Sequence, residues 1–414
     1  MSTGLRENPN PLSRWQVFSA APHRVMFLAG SVQLVLVMLF WLAELLGRAV
    51  AGWPPLPLVL PGTFVHAFLM LYGVFPFFIF GFLLTVYPRW MSGPVVPAAR
   101  YIMSFIFLAG GMLLFYAGLL VANSLLVLAL AAQLIGWGVA VYSLLAVYRQ
   151  ARNRGPHERL LNLALLAAML GILCFAYGVV TGSGLAFRLA RELGLWLFLL
   201  PVVFTVSHRM IPFFSQSALI HYIMVRPPWG LPLMLVCAAG HVLLEVSGLS
   251  AWRFLADAPL AAAALHHSWV WQFRRSFHAR LLAMLHIAFL WLGIGMTFYT
   301  VQSLALLMTG TDLLGRAPLH ALGIGFFTGM VVAMASRVTL GHSGRALEAN
   351  DLTWHVLFGV NAAAILRIVA EFLPGTVGTT LSVVAALAWL VSFLLWARLY
   401  APMYLRPRVD HKPG

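Results

Sequence analysis

The chain has 414 residues, of which 62% are hydrophobic and only 9% are charged, whereas an ordinary soluble domain is about 25% charged. This composition excludes a soluble protein, and polar gaps of roughly ten to twenty residues leave no space for a separate soluble domain. The formal charge of +15 does not indicate a nucleic-acid partner, because the positive residues fall in short segments between apolar runs. We therefore predict a single integral membrane domain over residues 1–414, with the lipid bilayer as its surroundings.

Apolar runs long enough to cross a bilayer recur along the whole chain. They predict an all-α helix bundle of about twelve spans. The predicted spans cover residues 25–46, 62–87, 101–121, 124–148, 160–181, 189–207, 229–247, 255–271, 281–302, 318–338, 353–373 and 378–400. Pro259 and His266-His267 interrupt the eighth run, and short runs of this kind are also compatible with re-entrant segments.

Lysine and arginine are divided unevenly between the two sides of this bundle. With the N-terminus inside, twenty of them fall in inner segments and five in outer segments, and Arg367 lies within span eleven. The positive-inside rule therefore predicts that both tails, residues 1–24 and 401–414, are cytoplasmic. The first 22 residues lack the apolar core of a cleavable signal, so we expect no processing.

Spans two, six and ten share features at their ends. Spans two and ten begin with a His-Ala pair, at His66 and His320. All three spans end at an arginine, namely Arg89, Arg209 and Arg337. The regular spacing indicates three four-helix units. Arginine also anchors many inner helix ends, so the matching histidine starts carry the argument for a repeat.

His66 and His320 are predicted to ligate one haem iron. Both lie near the outer face in this topology, and two imidazoles at one depth can bind a haem iron from its two sides. Ionisable groups inside a bilayer are functional candidates by default. The nearby glycines, which would leave the gaps that a flat macrocycle needs, are Gly73, Gly81, Gly323, Gly325 and Gly329. The alternative is that each histidine bonds a carbonyl at a helix end.

A second set of histidines lies at mid-depth or nearer the inner face. The set is His208, His266, His267, His286 and His342. Adjacent residues on a helix diverge by about 100°, so His266 and His267 cannot share one site. Imidazole suits both haem iron and copper, and His267, His286 and His342 are the candidates for a second haem or a copper ion. Ordinary interfacial histidines are the alternative.

Arg209 and Arg337 end their helices beside these inner histidines. Guanidinium groups bind carboxylates bidentately, so both arginines are candidates for holding haem propionates. Anchoring to lipid phosphate is the alternative for each. The sequence therefore leaves the role of Arg209 and Arg337 open.

Three pairs of ionisable residues lie four apart, on one face of a helix. The pairs are His241 with Glu245, Arg188 with Glu192, and Arg367 with Glu371. The first is compatible with a proton relay, a metal-ligand face or simple mutual hydrogen bonding. The other two predict ion pairs within the membrane.

Other cofactor signatures are missing from the sequence. It contains no Walker loop, no GxGxxG opening a helix after a strand, no CxxCH and no CxxC cluster. Nucleotide-driven transport, c-type haem and iron–sulfur chemistry are therefore disfavoured. Cys174 and Cys237 lie inside apolar runs, and we expect no disulfide between them.

Four segments resemble the NnrS family of bacterial membrane proteins. The most specific begins His320-Ala321-Leu322 and continues as SRVTLGHSGR over residues 336–345, which is similar to the family's HAL…SRVxLGHTGRPL block. The others are GFLLT at residues 81–85 with Pro88, Trp90 and Gly93, RMIPFF at residues 209–214, and Leu285-His286 with Trp291. Together these segments span most of the chain.

The resemblance implies a protein of the bacterial inner membrane that contains haem b and copper and handles nitric oxide in nitrosative stress or denitrification. It names neither an electron donor nor a catalysed reaction. The family's HAHEM segment reads His66-Ala67-Phe68-Leu69-Met70 here, so the second histidine and the glutamate are replaced. Any role of that missing pair is in doubt for this chain. Histidines on spans two and ten also look like the haem–copper oxidase subunit, which is an analogy of architecture only.

Three functions compete at this stage. The first is a haem-binding, nitric oxide-handling or electron-transferring protein of the NnrS type. The second is a proton-coupled transporter of a small solute or metal without haem, whose path would be lined by intramembrane His, Glu and Arg. The third is an assembly subunit whose histidines only satisfy helix ends. The resemblance favours the first.

Overall fold

The computed structural model describes residues 13–50 and 52–410. Within them, all regular secondary structure is helical, and loops join the helices. Twelve long helices occupy the positions of the predicted spans. They are α1 (Pro22–Ala49), α2 (Gly62–Trp90), α3 (Ala98–Val121), α4 (Asn123–Gln150), α5 (Pro156–Thr181), α6 (Gly184–Ala218), α7 (Gly230–Val246), α8 (Phe254–Val270), α9 (Arg280–Thr309), α10 (Ala317–His342), α11 (Asp351–Ala370) and α12 (Gly375–Tyr404). The outermost parts of the predicted tails, residues 1–12 and 411–414, lie outside the described residues.

Ten of these helices are long and apolar enough to cross a membrane. The exceptions in the described chain are α7 and α8, which have 17 residues each and stand at the lower limit for a bilayer span. The prediction of an all-α polytopic bundle is confirmed. The chain is a multi-pass membrane protein.

Helix boundaries follow from local sequence signals. Pro22 and Pro156 occupy the first turns of α1 and α5, where proline costs no backbone hydrogen bond. Gly182 and Gly310 end α5 and α9 in the left-handed conformation, which glycine adopts without a steric penalty. Asn350 accepts a hydrogen bond from the backbone N–H of Thr353 and caps α11. These signals explain why the predicted spans fall close to the observed helices.

Helices α2, α6 and α10 form the centre of the bundle. Within their most apolar windows, 89%, 78% and 72% of the residues are buried, against 39% for α3, α11 and α12. Rim helices expose one side to lipid, whereas a helix that is apolar and buried all round lies in the interior. The three helices of the predicted repeat are therefore surrounded by the others.

Each central helix contains a π-helical segment, a rare feature that often marks functional sites. The segments are Leu69–Val74 in α2, Leu193–Leu199 in α6 and Ala321–Thr328 in α10, and the rest of the described chain has none. The central helices also share one spacing, in which a glycine or proline precedes the terminal arginine by eight positions. The spaced residues are Gly81 and Arg89, Pro201 and Arg209, and Gly329 and Arg337. The shared π segments and the shared spacing support the predicted repeat, in which these three helices correspond to one another.

Tyr72 joins the π segment of α2 to α6. Its hydroxyl donates a hydrogen bond to the carbonyl of Ala190 at 2.6 Å. The side chain fits because its neighbours are glycines: a Cβ at Gly171 would lie 1.9 Å from the Tyr72 oxygen, and one at Gly194 would lie 2.6 Å from it. This close packing fixes α2 against α5 and α6 at the depth of the π segments.

Candidate cofactor site

His66 and His320 line one cavity among the central helices. The cavity, which we call the central cavity, has a volume of about 440 Å³ and is walled by residues of α1, α2, α6, α10 and α12, with α5 and α11 contributing. This volume falls in the range of about 300–1,000 Å³ that is usual for cofactor and ligand sites. The structure thus brings together the two histidines that the sequence paired, although 254 positions separate them.

His320 is oriented in a way that suits a metal ligand. Its Nδ1 lies 2.9 Å from the carbonyl oxygen of Arg316, one helical turn earlier. Donation from Nδ1 to a carbonyl places the proton on that nitrogen and leaves Nε2 with its lone pair. Ligating histidines commonly have such a partner on the other ring nitrogen. The helix-end hydrogen bond considered from the sequence is thus present and compatible with ligation.

His66 is held mainly by an aromatic contact. The indole of Trp41 stacks on its imidazole with ring centroids 4.0 Å apart and planes 21° from parallel. The guanidinium of Arg48 lies 5.2 Å from the centre of the same indole. The buried Nδ1 of His66 has no hydrogen-bond partner, and such orphaned polar atoms are rare in folded proteins. The geometry at His66 therefore leaves hydrogen-bonding or ligating capacity unused.

Four arginines line the central cavity: Arg188, Arg191, Arg316 and Arg367. Two of them are neutralised, because Arg191 binds Glu192 through two hydrogen bonds of 2.9 and 2.6 Å and Arg367 forms an ion pair with Glu371. Arg188 and Arg316 form no ion pair within the described residues. The cavity therefore carries two positive charges without carboxylate partners, and haem b carries two propionates.

The remaining wall is apolar and provides space beside His320. Phe68, Phe75 and Phe327 line it. Gly323 also lines it, one helical turn after His320, and a Cβ at Gly323 would have no neighbour within 4 Å. Residues three apart share a helix face, so open space lies beside the imidazole of His320. A largely apolar cavity that is also lined by arginines is compatible in polarity with a haem.

Arg209 and Arg337 do not line this cavity, contrary to the role considered for them from the sequence. Arg209 forms a 2.8 Å ion pair with Glu158, and its guanidinium lies 4.4 Å from the ring centre of Trp90. Arg337 lies 4.0 Å from the ring centre of Phe214. Both arginines are at the far ends of α6 and α10. The sequence did not assign Arg188 and Arg316 to the cavity, because it paired Arg188 with Glu192 and placed Arg316 in an outer segment.

The three candidates for a second metal are in different surroundings. Nε2 of His286 lies 3.2 Å from the hydroxyl of Ser215, and the ring of His342 is 4.5 Å from that of His23. His267 is fully buried, with Nδ1 2.6 Å from the carbonyl of Ala263 and Nε2 unpartnered. Among residues 13–50 and 52–410, no group of three or more His, Cys, Asp or Glu side chains is arranged to hold a metal ion.

Histidine pairs near the far end of the bundle were not recognised in the sequence. His157 is half-buried, and its Nε2 lies 3.1 Å from Nδ1 of His208. His266 is exposed whereas its neighbour His267 is buried, which agrees with the expected divergence of adjacent side chains. Contacts between distant helices left no signal in the spacing of these residues.

The ionisable pairs of the sequence are partly rearranged. Arg367 and Glu371 pair as predicted, but Glu192 binds the adjacent Arg191 and not Arg188. His241 and Glu245 do not bond each other. Instead, His241 pairs with Asp257 at 2.6 Å and Glu245 pairs with Arg253 at 2.9 Å. Both partners come from the next segment of the chain, which a spacing rule for one helix cannot detect.

Comparison of the sequence with known proteins assigns the chain to a family. No curated protein matches the chain. The sequence model described as NnrS protein matches residues 17–408, and it therefore includes all twelve helices and both histidines of the central cavity. By this match over nearly its whole length, the chain belongs to the NnrS family.

Proposed function

We propose that the protein binds one haem b in the central cavity, where His66 and His320 would hold its iron. The observation that carries the proposal is that two imidazoles from separate central helices line one apolar cavity of suitable volume. The unused Nδ1 of His66 and the carbonyl-bound Nδ1 of His320 leave a ring nitrogen of each histidine for iron. Arg188 and Arg316 are the partners for the two propionates.

A haem b in this cavity supplies one-electron chemistry. The residues around it hold the two imidazoles, exclude water with aromatic side chains and balance the propionate charges. With two histidines to hold the iron, the site would suit electron transfer. His320 bonds the carbonyl of Arg316, whereas Nδ1 of His66 has no hydrogen bond, so His66 is the less firmly held of the two.

We further propose that the protein acts in the bacterial inner membrane in the response to nitric oxide or in denitrification. Membership of the NnrS family supports this role. The excess of inner arginines supports cytoplasmic termini. Copper is a secondary proposal, with His267 as its first candidate ligand because its buried Nε2 has no partner.

The test is an absorption spectrum of the purified protein, oxidised and dithionite-reduced, with iron and copper measured on the same sample. We expect one iron per chain and the sharp bands of reduced b-type haem. His320→Ala and His66→Ala should each shift or abolish these bands. The matched control is His355→Ala, because His355 is an exposed histidine of α11.

A protein without iron after expression with ample haem would contradict the proposal, as would unchanged spectra in both cavity variants. The transporter would then become the better hypothesis. His241 and Arg367 would be the next residues to replace, and proton-coupled uptake would be the measurement. An assembly role would require full activity of a partner complex with both cavity histidines replaced.

A further inference from the structure

A buried histidine–aspartate pair lies next to the α6 wall of the central cavity. Nδ1 of His241 in α7 is 2.6 Å from Oδ1 of Asp257 in α8. The two residues are 2% and 0% exposed. The second carboxylate oxygen, Oδ2, is buried and has no hydrogen-bond partner. The proposed function does not use this pair, and a buried charge of this kind needs an explanation.

One segment of α6 contacts both the pair and the cavity. Trp196, in the middle of the π segment Leu193–Leu199, stacks on His241 with ring centroids 3.6 Å apart. Leu195 and Leu199 of the same segment line the central cavity. Helix α6 itself, about 10 Å across, therefore lies between the histidine–aspartate pair and the space proposed for haem.

Among the described residues, the charged neighbours of the pair bind one another. Glu245 binds Arg253 and Glu192 binds Arg191. The uncharged titratable neighbours are Tyr299 of α9, whose ring centre is 5.3 Å from that of His241, and the Cys237 thiol of α7, which interacts electrostatically with Asp257. The net charge of this cluster is therefore set by the pair.

One proton changes that charge. With both ring nitrogens of His241 protonated, imidazolium and carboxylate cancel. With one proton fewer, the cluster carries one negative charge in a buried site, which is costly. An electron added to the neighbouring cavity also adds negative charge, so it raises the proton affinity of the pair.

We propose that the His241–Asp257 pair takes up one proton when haem in the central cavity is reduced by one electron. The electron, from a one-electron reductant, converts ferric to ferrous iron, and the proton from water binds the imidazole of His241. The sum of charges in the two sites is then unchanged. This inference rests on the proposed function, because it requires a haem in the cavity.

The test is a potentiometric titration of the wild-type protein from about pH 5 to about pH 9, a range that includes the titration of histidine. Coupling of one proton to one electron makes the reduction equilibrium tenfold less favourable for each pH unit, about 59 mV. We expect this slope within part of that range. A potential that is independent of pH throughout would overturn the proposal.

Two variants assign the proton to the pair. Asp257→Asn keeps the shape of the carboxyl group without its charge, and His241→Gln removes the imidazole. Each should flatten the pH dependence while the reduced spectrum of haem is retained. The matched control is Asp351→Asn, the same substitution at an exposed aspartate of α11, which should keep the wild-type slope. A slope that persists in both pair variants would place the proton elsewhere.

Proton uptake by the wild-type protein gives a readout that does not depend on folding of the variants. Reduction in weak buffer with a pH-indicator dye should consume one proton per haem. No uptake would overturn the inference while the haem spectrum still supports the proposed function. Absence of haem from the purified protein would contradict both this inference and the proposed function.

Discussion

At the scale of single residues, Tyr72 is packed closely against glycines of two neighbouring helices. Its hydroxyl group reaches the carbonyl of Ala190 only because two helices present glycines to it, Gly171 from α5 and Gly194 from α6. Protein interiors are packed too densely to accept a methyl group without displacement. These glycines are therefore required by the shape of a neighbour and not by their own backbone conformation.

Gly171→Ala is expected to lower the free energy of unfolding by about 1–3 kcal/mol, because the new methyl group would overlap the Tyr72 hydroxyl. The measurement is reversible unfolding in mixed micelles. The control is Gly110→Ala in α3, where a Cβ meets no atom within 4 Å. The double variant with Tyr72→Phe should recover part of the loss, and additive losses would contradict this explanation.

Sequence reasoning identified His66 and His320 because an intramembrane histidine is unusual at any position. It did not identify Arg188 and Arg316 as unpaired cavity residues, since it expected Arg188 to bind Glu192, which binds Arg191 instead, and it counted Arg316 among the outer loop charges. Nor did it identify Asp257 as the partner of His241, because the two residues are on different helices. Residue type alone shows which groups are costly in a membrane, whereas their partners depend on helix packing.

At the scale of helices, the π segments of α2, α6 and α10 lie where these helices meet the central cavity. In α10 the segment begins directly after His320, and the hydroxyl of Thr328 bonds the carbonyl of Gly323 within it. A π turn contains more residues than an α turn. It therefore sets the rotation of His320 relative to the rest of α10.

Deletion of Ile324 should abolish the b-type haem spectrum while the protein still inserts and remains monodisperse. Removal of one residue rotates the start of α10 by about 100° relative to the remainder, and His320 then leaves the cavity. The measurements are the reduced absorption spectrum and size-exclusion chromatography. Deletion of Thr311, an exposed residue of the α9–α10 loop, is the control. Haem retained after loss of Ile324 would show that the segment does not orient the ligand.

The helices themselves were predictable from sequence because apolar runs and their proline and glycine boundaries are local signals. The π segments were not. No residue pattern in LMLYGV, LGLWLFL or ALGIGFFT distinguishes them from ordinary helix. Their geometry depends on tertiary contacts, such as the bond from Tyr72 to α6.

At the scale of the whole molecule, the number of crossings decides the orientation of the chain. The short helices α7 and α8 follow one another, and the chain keeps its orientation if both cross or neither does. In either case the helices before and after them keep the same direction. The predicted location of both termini on one side is therefore insensitive to the status of this pair.

Cysteine labelling can check this topology. In a background with Cys174→Ala and Cys237→Ala, Trp53→Cys should react with a membrane-impermeant thiol reagent in intact cells, because the α1–α2 loop is predicted to be outside. Leu347→Cys, in the α10–α11 loop, should react only after permeabilisation. The two positions are equally exposed, at 48% each, so each serves as the control for the other. The reverse pattern would contradict the predicted orientation.

The short length of α7 and α8 has a consequence for the surrounding lipid. A helix of 17 residues is about 26 Å long, which is less than the roughly 30 Å hydrocarbon thickness of a typical bilayer. A bilayer that meets such a hydrophobic mismatch thins locally or lets flanking polar groups approach its interior. Since these two helices carry His241 and Asp257, we expect water to approach the buried pair most closely from their flank of the bundle.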